Sequence, residues 1–77
     1  AALDNTLRRG DRALTGPVVR GDVETLRLHL GVLAEAAPEL LASYRAQAGR
    51  TVNRAETAGL ISPAVAARIR DTLEQNL

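Results

Sequence analysis

Leu14-Thr15-Gly16-Pro17-Val18-Val19-Arg20-Gly21-Asp22 is the stretch on which the reading of this chain turns. It holds two glycines, a proline, an arginine and a carboxylate, in a sequence otherwise rich in leucine, alanine and arginine. Pro17 has a fixed φ and no N–H, which suits the first position of a helical turn, with Gly16 or Thr15 before it as cap. Gly21 is free to take the left-handed conformation that ends such a turn. Asp22 then stands where the next helix needs an N-cap, ahead of the apolar run that opens at Val23. The pattern predicts two helix starts about two turns apart, each with unpaired N–H groups, and Arg20 between them. Such an arrangement would hold a small anion.

On both sides of this stretch the periodicity is helical. A first segment runs to about Arg9 and stops at Gly10. A second begins at Val23, carries Val23, Leu26, Leu30 and Leu33 at helical spacing, and fades between Ala34 and Ala37. Glu24 in its first turn suits the positive end of the helix dipole. Pro38 opens a third helix at its first position, with Leu41, Tyr44, Ala48, Val52 and Ala55 as its stripe and Ala58 as its end. Gly59 is the stop. Ser62-Pro63 reads as an N-cap followed by a first-position proline, and Val65, Ile69 and Leu73 give the last helix a buried side. No segment alternates with period two long enough for a strand. The predicted fold is all-α, a small four-helix bundle.

Size and composition set limits on what such a bundle does. With 77 residues the chain is one small domain, residues 1–77, near the size where a single core is marginal. It has no cysteine, so no disulfide, and a single histidine, so no evident metal set. Phe, Trp and Met are missing and Tyr44 is the only aromatic, so the core is built from Leu, Val, Ile and many alanines. Such a core gains from a partner surface, either a second copy or another domain. Ala1 to Leu7 already reads as helix interior, without a methionine or a cap before it, which predicts a further domain upstream.

The charge pattern narrows the partners. Ten arginines stand against nine carboxylates for a net charge of +1, and the arginines are scattered from Arg8 to Arg70. Nucleic-acid binding calls for a concentrated basic face with stacking aromatics, and neither is present. No apolar run is long enough for a transmembrane helix and no signal peptide is visible, so the expected location is cytoplasmic. No dinucleotide-binding glycine fingerprint occurs either, so the chain alone is expected to bind no nucleotide cofactor.

Several residues admit a structural and a functional role. Arg20-Gly21-Asp22 spells a tripeptide known from adhesion ligands, but that use needs a secreted, exposed loop. Capping accounts for Gly21 and Asp22 and leaves Arg20 as a candidate site residue. Asn5 and Thr15 are short polar groups able to bond a substrate oxygen; their structural roles are an interhelical bond or solvated position for Asn5 and a capping hydroxyl for Thr15. His29 has an intrinsic pKa suited to general acid chemistry, yet packing is the first expectation for a lone histidine. Tyr44 belongs to the core stripe, where its hydroxyl needs a partner. Gly49, with Ala46, Ala48 and Ala55 near it, suits close helix packing, in the core or at a dimer seam.

Asn5, Gly10, Leu14 to Pro17, Arg20 to Asp22, His29-Leu30 and Tyr44 together carry a resemblance to a known family. In these residues the chain resembles the C-terminal helical domain of the Rossmann-like DUF2520 oxidoreductases. Those are similar in layout to ketopantoate, pyrroline-5-carboxylate and coenzyme F420-dependent NADP reductases. The likeness covers most of the chain, is concentrated in LTGP-x-x-RGD, and weakens after about Gly49. It implies a domain like the C-terminal one of 6-phosphogluconate dehydrogenase, in a two-domain, NAD(P)-dependent enzyme. There the helical part forms a homodimer and closes one wall of the substrate site beside an N-terminal Rossmann domain. It further implies that Arg20 clamps a small anionic substrate with His29 as a second contact. Asn5, Thr15 and Asp22 would then form the catalytic group, and a ketopantoate-like 2-oxo acid follows by analogy. The alternative is a stand-alone helical interaction module without catalysis.

Overall fold

The computed structural model describes residues 11–75. Four α-helices make up most of them: α1, Asp11–Arg20; α2, Val23–Ala36; α3, Leu41–Thr57; and α4, Pro63–Leu73. A 3-10 turn, Pro38–Leu40, leads into α3, so the proline opens this helical run as its position predicts. No strand occurs among the described residues, and the fold is all-α. α1 lies mainly along α3, which also carries α4, while α2 packs on α4.

The helices end and begin where the local chemistry dictates. Gly21 has φ +66°, its N–H bonds Val18 O at 3.0 Å and the Asp22 N–H bonds Pro17 O at 2.8 Å. This pair of bonds satisfies the last carbonyls of α1. The end of α3 repeats it, with Gly59 at φ +75° and bonds from Gly59 N–H to Glu56 O and Leu60 N–H to Ala55 O. Ser62 caps α4 by accepting the Val65 N–H at 3.2 Å, with Pro63 at the first position.

The core follows the predicted stripes with three shifts. α2 contributes Leu26, Leu30 and Leu33, and α3 contributes Tyr44, Ala48, Val52 and Ala55. α4 buries Ala66, Ile69 and Leu73, whereas Val23, Leu41 and Val65 pack at the edge and are only partly covered. Thr51 and Thr72 are also buried, and each returns its hydroxyl to the carbonyl four residues back, Gln47 O and Arg68 O, both at 3.0 Å. Arg70 ties α4 to α3 through Glu56 at 2.8 Å and Asn53 at 2.7 Å.

Two expectations are corrected. Pro17 does not open a helix. α1 is already formed at Asp11 and runs through Thr15, Gly16 and Pro17, so neither Thr15 nor Gly16 is a cap there. An interior proline costs about 3 kcal/mol in an exposed helix, but Pro17 and Val18 are both buried here, and packing offsets the penalty. The expected segment ending at Arg9 lies outside the described residues. Gly49 does not bring two helices of the described residues together, which removes the core reading of this glycine but not the dimer seam. A Cβ built on it meets nothing within 4 Å, and it opens into a groove shared with Arg45, Asn53 and Arg70.

Candidate functional site

The turn from α1 to α2 gathers most of the polar residues singled out above. Asp22 caps α2: one carboxylate oxygen accepts the Thr25 N–H at 3.1 Å and the other accepts the Thr25 hydroxyl at 2.7 Å. The second oxygen also lies 3.7 Å from Arg20 Nη2. These contacts hold the Asp22 carboxyl below the usual carboxylate range, the Thr25 hydroxyl contributing most. The expected pair of helix starts is thus reduced to one, and there the Thr25 N–H is already taken by the carboxylate of Asp22. What remains for an incoming anion is Arg20, whose side chain is 64% exposed.

Gly16 makes room for that arginine. A Cβ at Gly16 would stand 3.1 Å from Arg20 Nη1, so the guanidinium lies back over the glycine one turn earlier in α1. Gly21 is more tightly bounded, because a Cβ there would stand 3.2 Å from Val65 Cγ1 of α4. The turn is therefore pressed against α4 while its polar edge faces outward.

His29 continues this edge along α2. Its spacing of four from Thr25 places it on the same side of the helix. Its Nδ1 lies 2.7 Å from the Tyr44 hydroxyl, and the two rings meet edge to face with centroids 5.7 Å apart. Burial lowers the pKa of the imidazole, partly opposed by the negative charge of Asp22. Burial raises the Tyr44 phenol, which stays protonated at any physiological pH. The result is a polar edge running from Arg20 through Asp22 and Thr25 to His29, backed from the core by Tyr44.

The other candidate residues lie elsewhere. Thr15 is five positions from Arg20, roughly 140° around the helix. It lines a shallow depression with Val19, Thr51, Arg54 and Leu60. Asn5 lies outside the described residues. Two partners escaped the sequence reading. Asp22-x-x-Thr25 has the spacing of a reciprocal cap and would have marked Thr25. The partner of Tyr44 has no local signal, because His29 is fifteen positions away.

A second surface feature is apolar. On the outer side of α2, Leu28 is 68% and Val32 51% exposed. They border a trough that also includes Gly31, Arg27 and Glu35. No helix of the described residues is long and apolar enough to cross a membrane.

Residues 1–51 match the family described as Domain of unknown function (DUF2520). No curated protein and no solved structure matches the chain.

Proposed function

The chain belongs to the DUF2520 family, and on that premise we propose that it is the helical domain of an NAD(P)-dependent oxidoreductase. In this reading the nucleotide is held by a dinucleotide-binding domain of the same protein, and these helices supply one wall of the substrate site and the dimer contact. The observation that carries the proposal is the polar edge at the α1–α2 turn. An exposed guanidinium, a carboxylate and an imidazole stand there on one side of a rigid, doubly capped turn. Arg20 is the contact for a substrate carboxylate, a role that its planar fork of donors suits. His29 is the second contact, and Asp22 balances the charge of Arg20 until substrate arrives. The substrate class is a small 2-oxo acid of the ketopantoate type, and Asn5 is the residue left to orient its carbonyl.

Self-association follows from the same reading and uses the outer face of α2. Arg27 and Glu35 stand four residues to either side of Gly31. A two-fold axis through Gly31 therefore sets each Arg27 opposite the partner's Glu35, twice per dimer. Leu28 and Val32 supply the apolar area beside that axis, and the missing Gly31 side chain lets the two backbones approach.

The test is turnover. A longer form of the protein carrying a dinucleotide-binding domain, assayed with NADH and NADPH against a panel of 2-oxo acids, is expected to reduce at least one of them. Arg20→Ala is expected to raise its KM tenfold or more. Absence of nucleotide-dependent turnover, together with partner proteins captured on the α2 face, would favour the interaction-module reading instead.

A further inference from the structure

Tyr44 and His29 meet in a way that fixes more than packing. Tyr44 is fully buried, with no part of its side chain reaching water. A buried phenol must place its O–H on an acceptor, since an unpaired one has given up its bond to water and gained nothing in return. The acceptor within reach is His29 Nδ1, at 2.7 Å. A neutral imidazole has one bare nitrogen and one N–H. If Nδ1 receives the Tyr44 proton, it is the bare one, and the ring proton sits on Nε2. His29 itself is only half-buried, whereas Tyr44 is fully buried, so the imidazole and not the phenol is the member of the pair that solvent reaches.

We infer that Tyr44 is a positioning residue that holds His29 in the Nε2–H form, so that the imidazole meets a ligand as a neutral hydrogen-bond donor. The ligand atom it fits is an oxygen acceptor, a carbonyl or carboxylate oxygen, and the ring does not act as a base. Protonating Nδ1 would force the Tyr44 hydroxyl to turn and accept, leaving its own proton without a partner in the core. The lowered pKa of His29 agrees with this, as does the place of the ring on the edge that begins at Arg20. The tautomer stands on geometry alone; the identity of the oxygen as part of a 2-oxo acid rests on the proposed function.

His29 is the only histidine, so its two nitrogens are observed without ambiguity. Long-range proton–nitrogen correlation on the uniformly labelled chain, above the titration of the ring, is expected to show Nδ1 as the bare nitrogen and Nε2 as the protonated one. An Nδ1–H form, or an even mixture, would overturn the inference without any variant being made. Tyr44→Phe is expected to shift the ring toward a mixture; an unchanged tautomer in a folded Tyr44→Phe chain refutes the role of Tyr44. In the longer, nucleotide-binding form, His29→Gln places an N–H near the position of Nε2 and is expected to keep KM within a few-fold of wild type. His29→Asn, whose amide falls nearer Nδ1, is expected to raise it at least tenfold. Equal losses in both variants would refute the donor role. If no 2-oxo acid is reduced at all while the tautomer is as stated, the oxidoreductase reading fails and the Tyr44–His29 assignment stands.

Discussion

The chain reverses direction by the same device at Gly21 and at Gly59, and the two turns differ in almost everything around that device. Both glycines have positive φ, and both receive the same pair of closing backbone bonds. Both turns lead to a side-chain cap, Asp22 in one and Ser62 in the other. At Gly59, however, a Cβ would touch nothing, whereas at Gly21 it would meet Val65 at 3.2 Å. The first cap is charged, accepts two bonds from Thr25 and has an arginine beside it; the second is neutral and accepts one. The second turn is therefore what the backbone requires and little more. The first turn adds a charged, outward-facing set of groups that stopping a helix does not need, and that surplus is the reason to place function there.

Substitutions at matched positions test this difference. Gly21→Ala combines left-handed strain, about 1–2 kcal/mol for a residue with a Cβ, with the contact to Val65, and is expected to lower Tm more than any other change at either turn. Gly59→Ala carries the strain alone and is expected to lower Tm by a smaller amount in the same thermal melt. Equal losses would mean that the first turn is not held by α4. At the caps, Asp22→Ala is expected to cost more than Ser62→Ala, which removes one bond and costs about 1 kcal/mol. Asp22→Asn keeps an acceptor for the Thr25 N–H and is expected to melt near wild type at neutral pH.

Acid should separate the turns as well. Asp22 has a lowered pKa in the folded chain, so its contribution is present above the ordinary carboxylate value of 3.8 and is lost as pH falls through the folded value. His29 is also lowered, so the unfolded chain takes up its proton first and stability starts to fall as pH drops through about 6.5. Melts across pH are expected to show both steps, with Asp22→Asn losing the lower one. The Ser62 turn has no titrating cap and adds no step. The smallest expected effect on stability belongs to Arg20→Ala, because Arg20 is exposed and carries no cap. Its melting temperature should stay nearly unchanged while substrate binding suffers. A drop of several degrees with full activity would make this turn structural like its counterpart.

What the sequence disclosed and what it hid follow the range of the interactions. Gly21, Asp22, Gly59 and Ser62-Pro63 are legible because each acts on backbone groups within a few residues of itself. The Leu26, Leu30 and Leu33 stripe is legible for a similar reason, since helical spacing alone assigns its face. Pro17 was misleading because its local preference for a helix start is outweighed by burial against other helices, which no local pattern reports. Gly49 suited packing in the core or at a dimer seam, and only the core is excluded, because the glycine opens to a groove of the single chain. The need of Tyr44 for a hydroxyl partner could be read from its position on a core stripe. That the partner is His29 could not, because α2 and α3 meet only in the folded molecule.

The meeting of these two rings has an optical consequence. Tyr44 is the only aromatic amino acid other than histidine, in a chain without tryptophan or phenylalanine. All of the near-ultraviolet absorption, circular dichroism and intrinsic emission of the chain therefore comes from one phenol, hydrogen-bonded to the ring proposed to touch the ligand. A ligand that engages His29, a proton that converts it, or a substitution that frees it must alter that single chromophore's surroundings. The molecule thus carries its own spectroscopic probe one hydrogen bond away from the candidate site.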